Sequence, residues 1–213
     1  MKNLFDINKT MNLFSEDLSY MLKKYEDVGN QPDLKEKWAT TIMISLVPFD
    51  LERSGLKRGK YLSGSPSKKA NKFLHYFDEQ SQPLAILEFI DNYDLPASFM
   101  IFEKLSLTEE NIYKFDIENK LDFVIEKKRE NNLLINSCQI FKNENYILEE
   151  YIYENEVLVK INREHKDKRM FKNIDFFPDN IFKSQFIFDY KNTEISEIKW
   201  NGTPDKTFRK VYP

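Results

Sequence analysis

The stretch Tyr113-Lys-Phe-Asp-Ile-Glu-Asn-Lys-Leu-Asp-Phe-Val-Ile-Glu-Lys-Lys128 decides the fold. Tyr113, Phe115 and Ile117 alternate with Lys114 and Asp116. Past Glu118-Asn119-Lys120, Leu121, Phe123 and Ile125 alternate with Asp122 and Glu126, Val124 being the exception. Successive side chains on a strand point to opposite faces, so alternation of period two across an Asn-bearing break predicts a half-buried antiparallel hairpin.

The same pattern recurs on both sides. Strands are expected at 72–77, 84–90, 97–105, 133–141, 146–153, 157–163, 183–190, 194–200 and 207–212, with 107–112 as a connector and 167–180 as an interruption. Short breaks between such strands favour sequential antiparallel pairing, because parallel strands need long crossovers. The chain has 19 Asn and only five Gly. Asn tolerates the left-handed backbone of tight turns, so it is expected to take glycine's place there. Asn201-Gly202 is the strongest single turn signal.

The N-terminal part reads as helical. Phe14, Leu18, Met21, Leu22 and Tyr25 recur at spacings of three and four, predicting a helix over 15–26 with Ser15 as its cap and Glu16 and Asp17 in the first turn. A second helix is expected from Asp33, with Leu34, Trp38, Ile42 and Leu46 as its stripe, although the β-branched run 40–47 also fits a strand. The expected fold is therefore α+β: two N-terminal helices packed on a large antiparallel β-meander of roughly eight to ten strands. Residues 1–70 would form the helical part with a basic linker, and 71–213 the meander.

At 213 residues, with 41% hydrophobic and 15% aromatic residues, the chain has enough apolar surface for a core without metal or disulfide staples. Its one cysteine, Cys138, excludes an internal disulfide and reads as a buried, inert thiol. The N-terminus lacks the pattern of a secretory signal and no apolar run is long enough to span a membrane, so a cytoplasmic protein is expected.

The net charge of −3 conceals an asymmetry. Residues 51–75 hold seven Lys/Arg against one acid, whereas 76–165 hold nine against 19, a balance of −10. An acidic sheet disfavours nucleic acid and favours a basic partner. The alternative, that a solvated sheet face simply carries charge, has equal standing at this point. The basic segment has only Tyr61 as a stacking platform, and its glycines lack the phosphate-loop pattern. His75 and His165 are 90 residues apart with no local ligand spacing, and no nucleophile elbow is present, so no metal, cofactor or catalytic residue is assigned.

The candidate partner-binding residues are Asp91, Tyr93 and Asp94 in one loop, and Glu149, Glu150, Tyr151, Tyr153 and Glu154 on one strand. Tyrosine supplies contact area at low entropic cost and carboxylates pair with Arg and Lys, which suits a basic partner. The competing reading places the tyrosines in the core.

The segment from Tyr76 to Asp94, an aromatic-Asp pair before a turn and then an apolar strand, resembles the hairpin of bacterial YD-type repeats, without their turn glycine and with an irregular period. A small, acidic, Asn- and Lys-rich chain of such hairpins without a catalytic motif also resembles bacterial immunity proteins of polymorphic or contact-dependent toxin systems. That class shares no single fold, so no residue roles carry over. The resemblance implies a stoichiometric complex that neutralises a basic toxin domain, often a nuclease. The alternatives are a self-associating β module and an enzyme with a dispersed site.

Overall fold

The computed structural model describes residues 5–31, 33–55, 58–91, 95–167, 181–202 and 207–212. Its frame is one antiparallel sheet of twelve strands whose spatial order is the order of the chain. The strands are β1 (Lys35–Ala39), β2 (Lys72–Phe77), β3 (Pro83–Phe89), β4 (Ser98–Lys104), β5 (Glu109–Asp116) and β6 (Leu121–Glu130). They continue with β7 (Leu133–Phe141), β8 (Tyr146–Glu154), β9 (Val157–Lys166), β10 (Ile181–Lys191), β11 (Glu194–Trp200) and β12 (Arg209–Tyr212). The helices are short: α1 (Ile7–Asn12), α2 (Ser19–Gly29) and the single turn α3 (Asp50–Arg53).

The architecture is an all-β meander, which corrects the α+β expectation. The helix expected from Asp33 does not form. Lys35–Ala39 is instead the first strand, paired with β2 in the register Lys37↔His75 and Trp38↔Leu74. The four-residue spacing of Leu34, Trp38 and Ile42 mimicked a helix, but successive residues point to opposite faces: Trp38 packs at 5.3 Å from the Phe89 ring, while the Lys37 ammonium lies over Tyr61 and Phe77. The β-branched run that follows makes a long helix unfavourable. The 107–112 connector is also corrected, because Glu109–Ile112 already belong to β5, paired with β6 as Glu109↔Lys128 and Ile112↔Ile125. The interruption expected at 167–180 lies, beyond Asp167, outside the described residues.

The first helix shifts rather than disappears. α2 begins at Ser19, after Leu18, and Asp17 accepts from the Ser19 amide at 2.9 Å, so Asp17 does the work expected of Ser15. Ser15 closes a short 3₁₀ turn (Leu13–Ser15) after α1, whose own cap is Asp6 accepting from the Lys9 amide. Phe14, Leu18, Met21, Leu22 and Tyr25 all pack on the sheet, with Tyr25 stacked on Phe99 at 4.3 Å between centroids.

Each face of the sheet carries core. On one face, Leu87, Phe99, Phe115 and Val124 lie under α2, and Cys138, Ile140 and Leu148 lie under α1 and Phe5. On the opposite face, Ile86, Met100, Ile112 and Ile125 are covered by Ile42, Ile44, Leu46 and Val47, from a stretch between β1 and α3 that has no regular structure. Further along that face Tyr151, Ile161, Phe186 and Phe188 pack beneath Phe49. The sheet's two outer strands are both modest. β1 is partly covered by a bridge from Ala39 to Tyr61 and by the Leu62 amide donating to the Trp38 carbonyl, and β12 is four residues long.

Eleven non-glycine residues adopt positive φ among those described, six of them Asn. Asn131-Asn132, Asn155-Glu156 and Asn192-Thr193 have positive φ at both positions and join β6–β7, β8–β9 and β10–β11. That is the mirror-image two-residue turn whose twist matches antiparallel strands. Asn201-Gly202 does not close such a turn. Asn201 extends the ladder by donating to the Gln185 carbonyl, and Gly202 lies against the Trp200 ring, where any Cβ would collide. Asn132→Gly is expected to leave stability within about 0.5 kcal/mol, whereas Asn132→Val should cost about 1–2 kcal/mol, measured by urea denaturation, because only the β-branched residue resists the left-handed backbone.

Candidate functional site

Period two places Glu149 and Tyr151 on one face of β8 and Glu150 on the other, and that division decides their roles. Glu149 is 2% exposed at its side chain and faces the core. Its Oε1 accepts from Arg53 Nη1 at 2.6 Å and from Arg163 Nε at 2.8 Å and Nη2 at 2.7 Å. Its Oε2 accepts from the Tyr151 hydroxyl at 2.6 Å. The Ser137 hydroxyl then lies 2.7 Å from the Tyr151 oxygen and donates to it. Both guanidinium groups lie over the Phe186 ring, Arg163 at 4.8 Å and Arg53 at 5.1 Å.

Burial alone would raise the Glu149 carboxyl. Arg53 and Arg163, together with hydrogen bonds from Arg53 and Tyr151, outweigh it and bring the pKa down to about 2. Burial and the neighbouring Glu149 push the Tyr151 phenol far up. A carboxyl held ionised and a phenol held neutral exchange no proton near neutral pH, so the cluster is a structural tie rather than acid–base machinery. It anchors α3, through Arg53, to the middle of the sheet.

The other expected partner-binding residues are dispersed. Glu150 accepts from the Asn162 amide at 2.7 Å; Asn162 in turn accepts from Gln185 Nε2 at 2.9 Å. Tyr153 is half-buried and donates to the Leu134 carbonyl at 3.0 Å. Glu154 is exposed at the β8–β9 turn. Asp91 is exposed at the opposite end of the sheet, and Tyr93 and Asp94 lie outside the described residues. The described ones among these residues do not form one patch.

Depressions are present on the described surface. One, of about 410 Å³, is lined by Asn162, Arg163, Glu164, Lys183, Ser184, Gln185 and Asn201. Alternation assigns Asn162, Glu164, Lys183 and Gln185 to the side that carries Glu150, and Arg163 and Ser184 to the opposite side. Another, of about 440 Å³, lies where the start of α2 meets the β5–β6 turn.

Arg53, read as part of a basic linker, is buried, and Arg58 pairs with Glu52 at 2.8 Å. Much of the sheet's acid is neutralised in place: Glu110 by Lys127 and Arg129, each at 3.4 Å, Glu109 by Lys128 and Glu88 by Lys114, each at 3.5 Å. Cys138 is fully buried, and burial pushes its thiol up, which keeps it protonated. His75 on β2 and His165 on β9 are seven strand positions apart and share no site. No three His, Cys, Asp or Glu side chains among the described residues are grouped to hold a metal ion, and no described helix is long and apolar enough to cross a membrane.

The hairpin ends keep their charge. Glu130, Glu154, Glu156 and Glu194 are exposed and make no ion pair among the described residues. They sit on the turns β6–β7, β8–β9 and β10–β11, all at one end of the sheet and roughly 10 Å apart, twice the strand spacing. Leu105, Leu107 and Val157 are exposed at the same end. The signal for this rim was in the sequence, as acids beside Asn pairs, but it appears only when alternate hairpins are placed side by side.

Comparison of the chain with protein-family models, curated proteins and solved structures gave no match.

Glu149→Ala should cost about 3–5 kcal/mol in urea denaturation, because it strands the buried Arg53 guanidinium and leaves the part-buried Arg163 without its carboxylate. The wild-type contribution is fully present above the ordinary carboxyl value of 4.5 and lost as pH falls towards 2. In Glu149→Gln that part of the acid dependence, about 3 kcal/mol by linkage, should vanish.

Proposed function

We propose that the chain is a binding protein that docks a basic protein partner against its acidic hairpin rim, and that it acts as an immunity protein neutralising a bacterial toxin domain in a stoichiometric complex. The observation that carries the docking is the row of Glu130, Glu154, Glu156 and Glu194 on three adjacent, conformationally fixed turns. Their spacing is close to the screening length at physiological salt, about 8 Å, so neighbouring carboxylates reinforce one potential, which exposed Lys191, opposite Glu194 in register, offsets in part. Such a field accelerates encounter with an oppositely charged surface and suppresses like-charged competitors. Leu107, 85% exposed, and Val157 supply apolar contact within the same rim. The positive-φ turns hold the rim rigid before a partner arrives, which lowers the ordering cost of association.

The toxin-neutralising role rests on the resemblance of the acidic, hairpin-built chain to immunity proteins. Glu149 and Tyr151 have no part in the rim: they hold α3 to the sheet, and their substitution acts on stability.

The test uses tagged full-length protein and a quadruple variant, Glu130→Lys, Glu154→Lys, Glu156→Lys and Glu194→Lys. The exposed positions should leave the melting curve nearly unchanged. The wild type is expected to retain one basic partner in equimolar amount, released by rising salt, and the variant to bind it at least tenfold more weakly. Co-expression should protect cells from that partner with the wild type and not with the variant. Equal retention by both proteins at every salt concentration would overturn the rim as the docking surface; a retained partner that is harmless to cells would overturn the immunity role.

A further inference from the structure

We propose that residues 40–49 form an acid-released strap over the sheet, latched by His75. The strap runs without regular structure from the end of β1 to Phe49, and all its residues are only partly buried. Between Thr41 and Leu46 one hydrogen bond ties it to the sheet: the Met43 amide donates to His75 Nε2 at 3.0 Å. Beyond the latch, Ile42, Ile44, Leu46 and Val47 make apolar contacts with Ile86, Met100 and Ile112, Thr40 and Thr41 are hydrogen-bonded to Gly59 and Lys60, Arg58 Nη2 donates to Ser45 Oγ at 3.1 Å, and the Leu46 amide donates to Asp50 at 2.9 Å; none of these hydrogen bonds reaches the sheet. Its far end is strained. Phe49 has φ 56°, a left-handed conformation that bulky residues rarely adopt, and is kept there by packing on Phe188 at 5.3 Å. Few backbone hydrogen bonds and partial burial are the marks of a segment that opens separately from the core.

The latch is built so that a proton defeats it. Because Nε2 accepts from Met43, the imidazole is neutral with its proton on Nδ1, and Nδ1 is buried without a hydrogen-bond partner. A second proton must go to Nε2, where it removes the acceptor that Met43 needs. His75 is fully buried, and the groups packed around it offer no carboxylate. From β1, opposite His75 in register, comes Lys37; from β3 comes Ile86; from the segment after the strap comes Tyr61, edge-on at 5.8 Å; and Phe77 on its own strand stacks at 6.3 Å. Lys37 and Tyr61 are the titratable groups among these, and the Lys37 ammonium repels an imidazolium. Burial, partly offset by the main chain at Lys37 and Phe73, lowers the His75 pKa to about 4 with the strap closed.

With the strap open, His75 meets water and regains its ordinary value of 6.5. The open state then binds the proton in the window between 6.5 and about 4, so acidification through that window favours opening. From pH 7.5 to pH 5 the open population should rise roughly 30-fold, by the tenfold change per pH unit below 6.5.

Hydrogen exchange of the full chain, followed by mass spectrometry at pH 7.5 and pH 5 and scaled for the intrinsic exchange rate, reads this directly. Peptides covering 40–49 are expected to open roughly 30-fold more often at pH 5, while peptides from β6 to β9 keep their protection. In His75→Gln, whose amide oxygen can still accept from Met43 but does not titrate, the strap should exchange independently of pH. Strap protection unchanged with pH in the wild type, strap and sheet losing protection together, or the same pH response in His75→Gln would each overturn the proposal. Should His75→Gln fail to fold, the His75 ring titration by NMR decides, with His165→Gln used for assignment. A midpoint well below 6.5 supports the latch, and one near 6.5 overturns it.

Discussion

An open sheet buries nothing by itself; both of its faces must be covered, and here the covering comes almost entirely from the residues before β2. α1 and α2 lie on one face and the strap and α3 on the other, so the chain crosses the sheet's first strand and continues on its reverse side. β1 is the point at which that change of face happens. A helix at this position would have kept the whole N-terminal part on one side and left Ile86, Met100 and Ile112 without cover.

The Arg53–Glu149–Arg163 cluster follows from the same requirement. α3 is a single turn, with too little apolar surface to hold itself down. It is fixed instead by a charge that reaches the middle of the sheet, and a buried charge of this kind is tolerated because the Glu149 carboxylate meets Arg53 Nη1, even though Arg53 Nε is buried without a hydrogen-bond partner. Arg163 and Tyr151 supply further partners for Glu149 from β9 and β8, which is why a carboxylate, an arginine and a phenol occupy strand positions where alternation would otherwise place aliphatic residues. The strap, stretched between β1 and α3, relies on this anchor at one end and on His75 near the other.

Much of the meander could be read from the chain. The bounds of β2, β7 and β11 coincide with the expected ones, because Asn or Asp residues mark the breaks beside them, although the strands themselves do not alternate cleanly. The misses have two causes. Trp38 and Ile42 show that four-residue spacing is compatible with a strand followed by a strap, since periodicity records separation and not conformation. Glu149 and Tyr151 show that alternation gives two sets of residues without saying which set faces inward. Tyr151 and Tyr153 both pack in the cluster beneath Phe49, and Arg53, the partner of Glu149, lies 96 residues earlier, beyond the reach of any local pattern. The rim at Glu130, Glu154 and Glu194 depends in the same way on how hairpins are set beside one another.

Strand order that repeats chain order also has a kinetic meaning. From β2 to β9 each ladder joins neighbours through a short closure, so that part of the sheet can grow hairpin by hairpin with little loop entropy lost at each step, a low contact order for a β protein of this size. The link from Arg53 to Glu149 is of a different kind, because it needs most of the sheet in place before its two ends can meet. The sheet should therefore assemble first and the α3 side close last, giving a late folding stage in which the second face of the sheet is still wet.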